Sequence, residues 1–111
     1  MDQKIDLALC SDKELLGFLM QSNKAAFSMI FDRYGPSLYA YIITFVRTRT
    51  TGELARNDTA QILIDIFTQL WNDRKRLVIV NTLNYHLFSI AHNKAISYVV
   101  YGKESAADIL I

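Results

Sequence analysis

The sequence predicts an all-α domain, a compact bundle of about four helices, and three observations lead there. Residues of the hydrophobic set make up 51% of the 111 residues, enough for a real core and well above a disordered chain. One proline and four glycines are too few for a loop-rich or sandwich sequence with frequent turns. Apolar residues recur at helical spacing in four segments separated by short polar breaks.

The first helix is expected to begin after Ser11, which forms a capping box with Glu14 three residues later. Leu15, Leu16, Leu19 and Met20 give its apolar side. Asn23 then caps a second helix, in which Phe27, Ile30, Phe31 and Tyr34 follow the i, i+3, i+4, i+7 pattern. Gly35–Pro36 ends or kinks that helix, because proline lacks an amide hydrogen and disfavours α geometry in the residue before it. The period resumes through Leu38, Tyr41, Ile42 and Phe45 to about Val46, as one long bent helix or two joined end to end. "RTRTTGELARND" reads as a loop, with Asn57 or Asp58 capping the third helix. Leu63, Ile66, Phe67, Leu70 and Trp71 form its buried face, and it stops near "NDRKR". "LVIV" resembles a strand, but a lone strand has no partner, so a loop laying apolar side chains on the helices is expected. Thr82 caps the last helix, which runs toward Tyr101 with Gly102 as terminator.

The length fits a single domain, 1–111, with its core from about 12 to 103, and there is no internal repeat. Formal net charge is +1, too small to draw nucleic acid to the chain as a whole. The cations are unevenly placed: Arg47, Arg49 and Arg56 fall in one connecting region and Arg74, Lys75 and Arg76 in the next. Cys10 is alone, which excludes an internal disulfide and fits a reducing compartment. The N-terminal residues lack a signal-peptide pattern and no run approaches a membrane span, so a cytoplasmic protein without membrane contact is expected.

Enzyme signatures are missing. The sequence holds no GxGxxG, P-loop, HExxH or GxSxG motif. His86 and His92, six apart on a helix, point in different directions, and no cysteine pair adds ligands, so neither metal nor cofactor is expected. Asp12 with Glu14, or Asp58 with Asp65, are explained by caps and solvated faces without catalysis. One polar series stands out on the last helix. His86, Ser89, Asn93 and Ser97, at spacings of 3, 4 and 4, form one stripe. On the residues alone, this is the side that any helix with a buried face must show to water.

The order of the pieces resembles region 2 of the bacterial sigma-70 family, especially the extracytoplasmic-function group. The resemblance covers about residues 12–103. "DKELLGFLMQSNKAAFSMIFDRYGPSLYAYI" resembles the opening helices of that domain, with a Leu-Leu helix, a short turn, then Ala-Phe and an aromatic-basic-Tyr pattern. "ILIDIFTQLWNDR" resembles its polymerase-binding helix, and "YHLFSIAHNKAISYVV" its promoter-melting helix, with Leu-Phe-x-Ile-Ala-x-Asn at the centre. The resemblance implies a non-catalytic specificity subunit. It would dock on the clamp helices of the β′ subunit of core RNA polymerase and capture bases of the non-template strand of the minus-ten promoter element. An anti-sigma factor is a further candidate partner that the resemblance implies.

Residue by residue, Asn93 matches the family asparagine facing that strand, and an amide can read a base edge as both donor and acceptor. The "RKRLVIVNTLN" connection stands in the place of the base-capturing loop, where Arg74, Lys75 and Arg76 are candidates for phosphate contacts. His86, Ser89 and Ser97 then belong to the DNA-facing side. Docking falls to Gln61, Ile64 and Asp65. Here the sequence departs from the family, which usually reads Ala-Glu-Asp-x-x-Gln-Glu. "TAQILID" sets Ala60 and Gln61 at the acidic pair and Ile64 at the glutamine, and only Asp65 keeps its type. Ile62 and Ile64 on opposite flanks also widen the apolar arc of the third helix. Relatives carry an arginine two places after the tyrosine of the last helix, whereas Lys103 is the first basic residue here. The chain ends before any helix-turn-helix domain, as a fragment or a stand-alone remnant would. The rival expectation is therefore a degenerate sigma-like interaction module that binds protein through the Ile62–Ile64 surface. A generic helical bundle is the third.

Overall fold

The computed structural model describes residues 6–102. Four helices form an all-α bundle: α1 Asp12–Met20, α2 Lys24–Val46, α3 Gly52–Asn72 and α4 Leu83–Tyr101, preceded by a 3-10 turn at Leu7–Leu9. Helix α2 is the hub and packs against the other three, while α3 also meets α4.

The capping box is present: Ser11 Oγ accepts from the Glu14 amide at 3.1 Å, and Glu14 accepts from the Ser11 amide at 2.9 Å. Donation from the Ser11 amide, and then from its hydroxyl, holds the Glu14 carboxyl below its usual range. Leu15 and Leu19, one turn apart, are sealed in the core. The chain then turns through Ser22, whose φ of 63° is a left-handed conformation that few non-glycine residues adopt. Asn23 caps α2 by accepting from the Ala26 amide at 3.0 Å.

Helix α2 continues through Gly35–Pro36 as one element. The lost amide of Pro36 would have bonded the carbonyl of Asp32, and both residues are exposed, so water can serve that carbonyl. Gly35 is buried where the Phe31 ring lies, and a Cβ there would stand 3.4 Å from that ring. A Cβ at 35 would meet the ring in ordinary van der Waals contact, and the ring in turn packs on Phe67 of α3.

Helix α3 begins earlier than the sequence suggests. Its N-cap is Thr51, so neither Asn57 nor Asp58 caps it, and Asp58 is buried in its second turn. The polar pair Asp58–Thr59 reads as a break, yet it faces inward. Tyr98 of α4 donates to Asp58 at 2.6 Å, and Thr59 Oγ1 donates to the Ala55 carbonyl at 2.7 Å. With these groups satisfied, burying them in a helix carries no unpaired-donor penalty.

The connection from Asp73 to Thr82 contains no strand among the described residues. It alternates nonetheless: Leu77 and Ile79 pack against the core, while Val78 and Val80 face solvent at 80% and 90% exposure. Thr82 caps α4 by accepting from the Tyr85 amide at 3.1 Å. Leu83, Leu87, Ala91, Ala95 and Tyr98 then bury one face of α4. Gly102 ends it with φ 75°, donating to the Tyr98 carbonyl at 2.7 Å. Arg49, arriving from the α2–α3 turn, donates to the Val99 carbonyl at 2.8 Å. Lys103 and the final "ILI" lie outside the described residues.

Candidate functional site

Because its buried face is set by residues four apart, α4 turns a second face outward. His86, Ser89 and Ser97 are half-buried along it, and Asn93 is exposed. The stripe expected from the sequence is therefore partly open, with Asn93 its one amide and its exposed member. His92 lies on the neighbouring flank, where its Nδ1 pairs with the Tyr41 hydroxyl at 2.8 Å and its ring meets the edge of Phe45.

Where the end of α3 meets the start of α4, the Asp73–Thr82 connection leaves a groove of about 320 Å³. Helix α3 contributes Gln69 and Leu70, and α4 contributes His86 and Ile90. The connection supplies Asp73, Arg76, Leu77 and Val78. Ile90 precedes Asn93 by one helical turn, so the groove opens beside the polar stripe about 5 Å along the axis from Asn93. Burial lowers the pKa of His86, which keeps its ring neutral, a donor at one nitrogen and an acceptor at the other.

The three cations of the connection differ in surroundings. Arg74 is held by the protein itself: Nε donates to Ser22 Oγ at 2.9 Å, Nη1 donates to the Trp71 carbonyl at 2.8 Å, and the guanidinium stacks over the Trp71 ring at 4.0 Å. Lys75 is exposed, and Arg76 reaches solvent while pairing with Asp73 at 2.9 Å. An exposed pair of that kind is worth roughly 0–1 kcal/mol, so Arg76 can leave it for another anion at little cost.

On α3, Gln61, Ile64 and Asp65 are all exposed and adjacent, and Gln61 Nε2 donates to Asp65 Oδ1 at 3.0 Å. Ile64 stands out at 54% exposure, whereas Ile62 packs against the core. The two isoleucines thus do not share one outer surface, and the apolar arc is narrower than the sequence implies. The acidic pairs also separate. Asp12 accepts from Arg33 at 2.8 Å and from the Tyr34 hydroxyl, and Glu14 is spent in the cap. Asp58 is buried and Asp65 exposed. Among the described residues, no group of three histidine, cysteine or acidic side chains is placed to hold a metal ion, and no helix is long and apolar enough to cross a membrane.

Gln69 and Asp73 were not among the residues singled out by sequence. A signal existed: Asp65, Gln69 and Asp73 are four apart and continue one polar edge of α3 into the groove.

Fold and site together define a four-helix bundle with an open, mixed-polarity groove beside an exposed amide. A scan against protein-family models finds no match for the chain, and searches of the curated proteins and of the solved structures find none either.

Proposed function

We propose that this chain acts as a sigma region 2 domain, binding core RNA polymerase and helping to recognise and open the minus-ten promoter element. The observation that carries this reading is the neighbourhood of Asn93. The residue is exposed on α4, and beside it the connection between α3 and α4 leaves a groove large enough for an unstacked base. An extruded base needs such a recess, with hydrogen-bonding edges inside and cations at the rim for the phosphates. Asn93 reads the strand; Lys75 and Arg76 neutralise backbone charge; His86, Ser89 and Ser97 line the path. Arg74 supports the connection from beneath. Net charge of +1 gives little attraction to free DNA, so the polymerase must supply much of the local concentration.

The test is binding of a single-stranded minus-ten oligonucleotide to polymerase loaded with this chain. Asn93→Ala should weaken it by about 1–3 kcal/mol, the worth of one good base contact. Unchanged binding would remove Asn93 from the role given to it.

One observation favours a second reading. Ile64 is more than half exposed at the centre of the α3 face where the family carries polar residues, which suits a protein partner with an apolar patch. A degenerate module of this kind would not bind the β′ clamp helices, so a pull-down with that coiled coil separates the two readings.

A further inference from the structure

We propose that Leu77–Val80 is an unpaired strand edge, and that its partner is the same segment of a second copy of this chain, joined antiparallel. The inference does not rest on the transcription reading, and no outcome below bears on that reading.

Leu77, Val78, Ile79 and Val80 alternate as one strand of a sheet does, with Leu77 and Ile79 packed on the core and the two valines turned out. Three of the four are β-branched, the type that suits a pleated strand. At 90%, Val80 is the most exposed large apolar side chain among the described residues. The backbone is open as well. The Arg76 amide donates to the Asp73 carbonyl at 2.8 Å, and the next backbone–backbone bond along the chain runs from the His86 amide to the Thr82 carbonyl at 3.0 Å. Between them, the N–H and C=O groups of Leu77 to Asn81 bond to no described residue. Such a row of groups is a template that an extended main chain matches.

The segment is its own complement. A two-fold axis at Ile79 sets Val78 of each copy opposite Val80 of the other, which gathers the exposed valines on one outer face. The same register sets Arg76 opposite Thr82, so the cations of "RKR" lie at opposite ends of the pair. Parallel pairing in register would set Arg76 against Arg76 and Lys75 against Lys75, and like charges directly opposite destabilise a strand pair. A formal net charge of +1 leaves little repulsion between whole copies. The chain bends at Val80 and Asn81, so the ladder is short and the dimer weak, half-formed at roughly 0.1 mM.

The experiment follows the full chain by sedimentation equilibrium from about 10 μM to about 1 mM, with amide hydrogen exchange read by NMR at both ends of that range. A monomer–dimer equilibrium is expected, in which alternate amides of Leu77–Val80 exchange at least about threefold more slowly at the high concentration. Val80→Lys places a charge on the edge at a position already in solvent, so the fold is kept, and it should weaken dimerisation at least about tenfold. Val80→Thr keeps the β-branch and should weaken it less. A chain that is monomeric up to about 1 mM and leaves these amides unprotected overturns the inference. So does a dimer whose Leu77–Val80 amides exchange as fast as the monomer's, or one that Val80→Lys leaves intact, because its copies meet elsewhere. A chain that stays monomeric but protects these amides on a synthetic Thr-Val-Thr-Val-Thr peptide seats a foreign strand there, which overturns the second copy as occupant.

Discussion

The bond from Tyr98 to Asp58 fixes the far end of α4 against α3, and removing it gives a sharply bounded prediction. Both residues are nearly buried, 8% and 7% exposed, and the bond length is 2.6 Å. Tyr98→Phe keeps the ring, so no cavity forms and the loss is the hydrogen bond. A bond to a charged acceptor is worth about 1.5–3 kcal/mol. Asp58 keeps a further interaction, which places the expectation at about 1.5–2 kcal/mol. Urea unfolding followed by circular dichroism at pH 7 should show a lower midpoint with unchanged slope, a drop on the order of 1 M. An alkaline limb accompanies it. Burial first, then the bond to Asp58 and its charge, push the Tyr98 phenol up to about 12, against a smaller opposing pull from Arg49. Unfolded chains release that proton near 10, so between about pH 10 and 12 the folded state binds more protons and stability falls as pH rises. Tyr34, also pushed up to about 12, chiefly by burial, shares this limb, so Tyr98→Phe should flatten the fall without abolishing it. A midpoint change worth under about 0.5 kcal/mol would refute the reasoning, because it would mean that water or the second partner of Asp58 already serves the carboxylate.

Three more predictions concern residues whose surroundings the fold revealed. Pro36→Ala restores an amide to the middle of α2 at an exposed position and should stabilise the domain by about 1–3 kcal/mol in the same urea assay. Arg74→Ala removes a stacked, hydrogen-bonded guanidinium and should cost about 1–2 kcal/mol of stability. Lys75→Ala should leave stability within about 0.5 kcal/mol and lower the salt dependence of strand binding.

Most of the helical plan was legible because its signals are local. Ser11 with Glu14, Asn23, Thr82 and Gly102 each terminate a helix through bonds to neighbours a few residues away, and such chemistry can be read without the fold. The start of α3 was not, because Asp58 and Thr59 look like breakers until Tyr98, forty residues later, supplies a partner. Ala55, Thr59, Leu63, Ile66 and Leu70 do follow a helical period, but a threonine within it hides the pattern. Pro36 misled less, since a missing hydrogen bond on an exposed face of a long helix is a modest loss. At the candidate site, the outward stripe of α4 followed directly from its spacing. The groove did not, because it forms only where the connection folds against Gln69 and Ile90. The burial of Ile62 and the exposure of Ile64 likewise depend on how α3 is rotated against α2 and α4, which neighbouring residues in sequence do not specify.

The transcription reading meets its most direct trial in a three-component titration. A fluorescent single strand of the minus-ten element is mixed with bacterial core RNA polymerase, with and without the 111-residue chain. Retention of the strand only when the chain is present is the predicted result. Contradiction would come from a chain that neither joins the polymerase nor changes how much of the strand it holds.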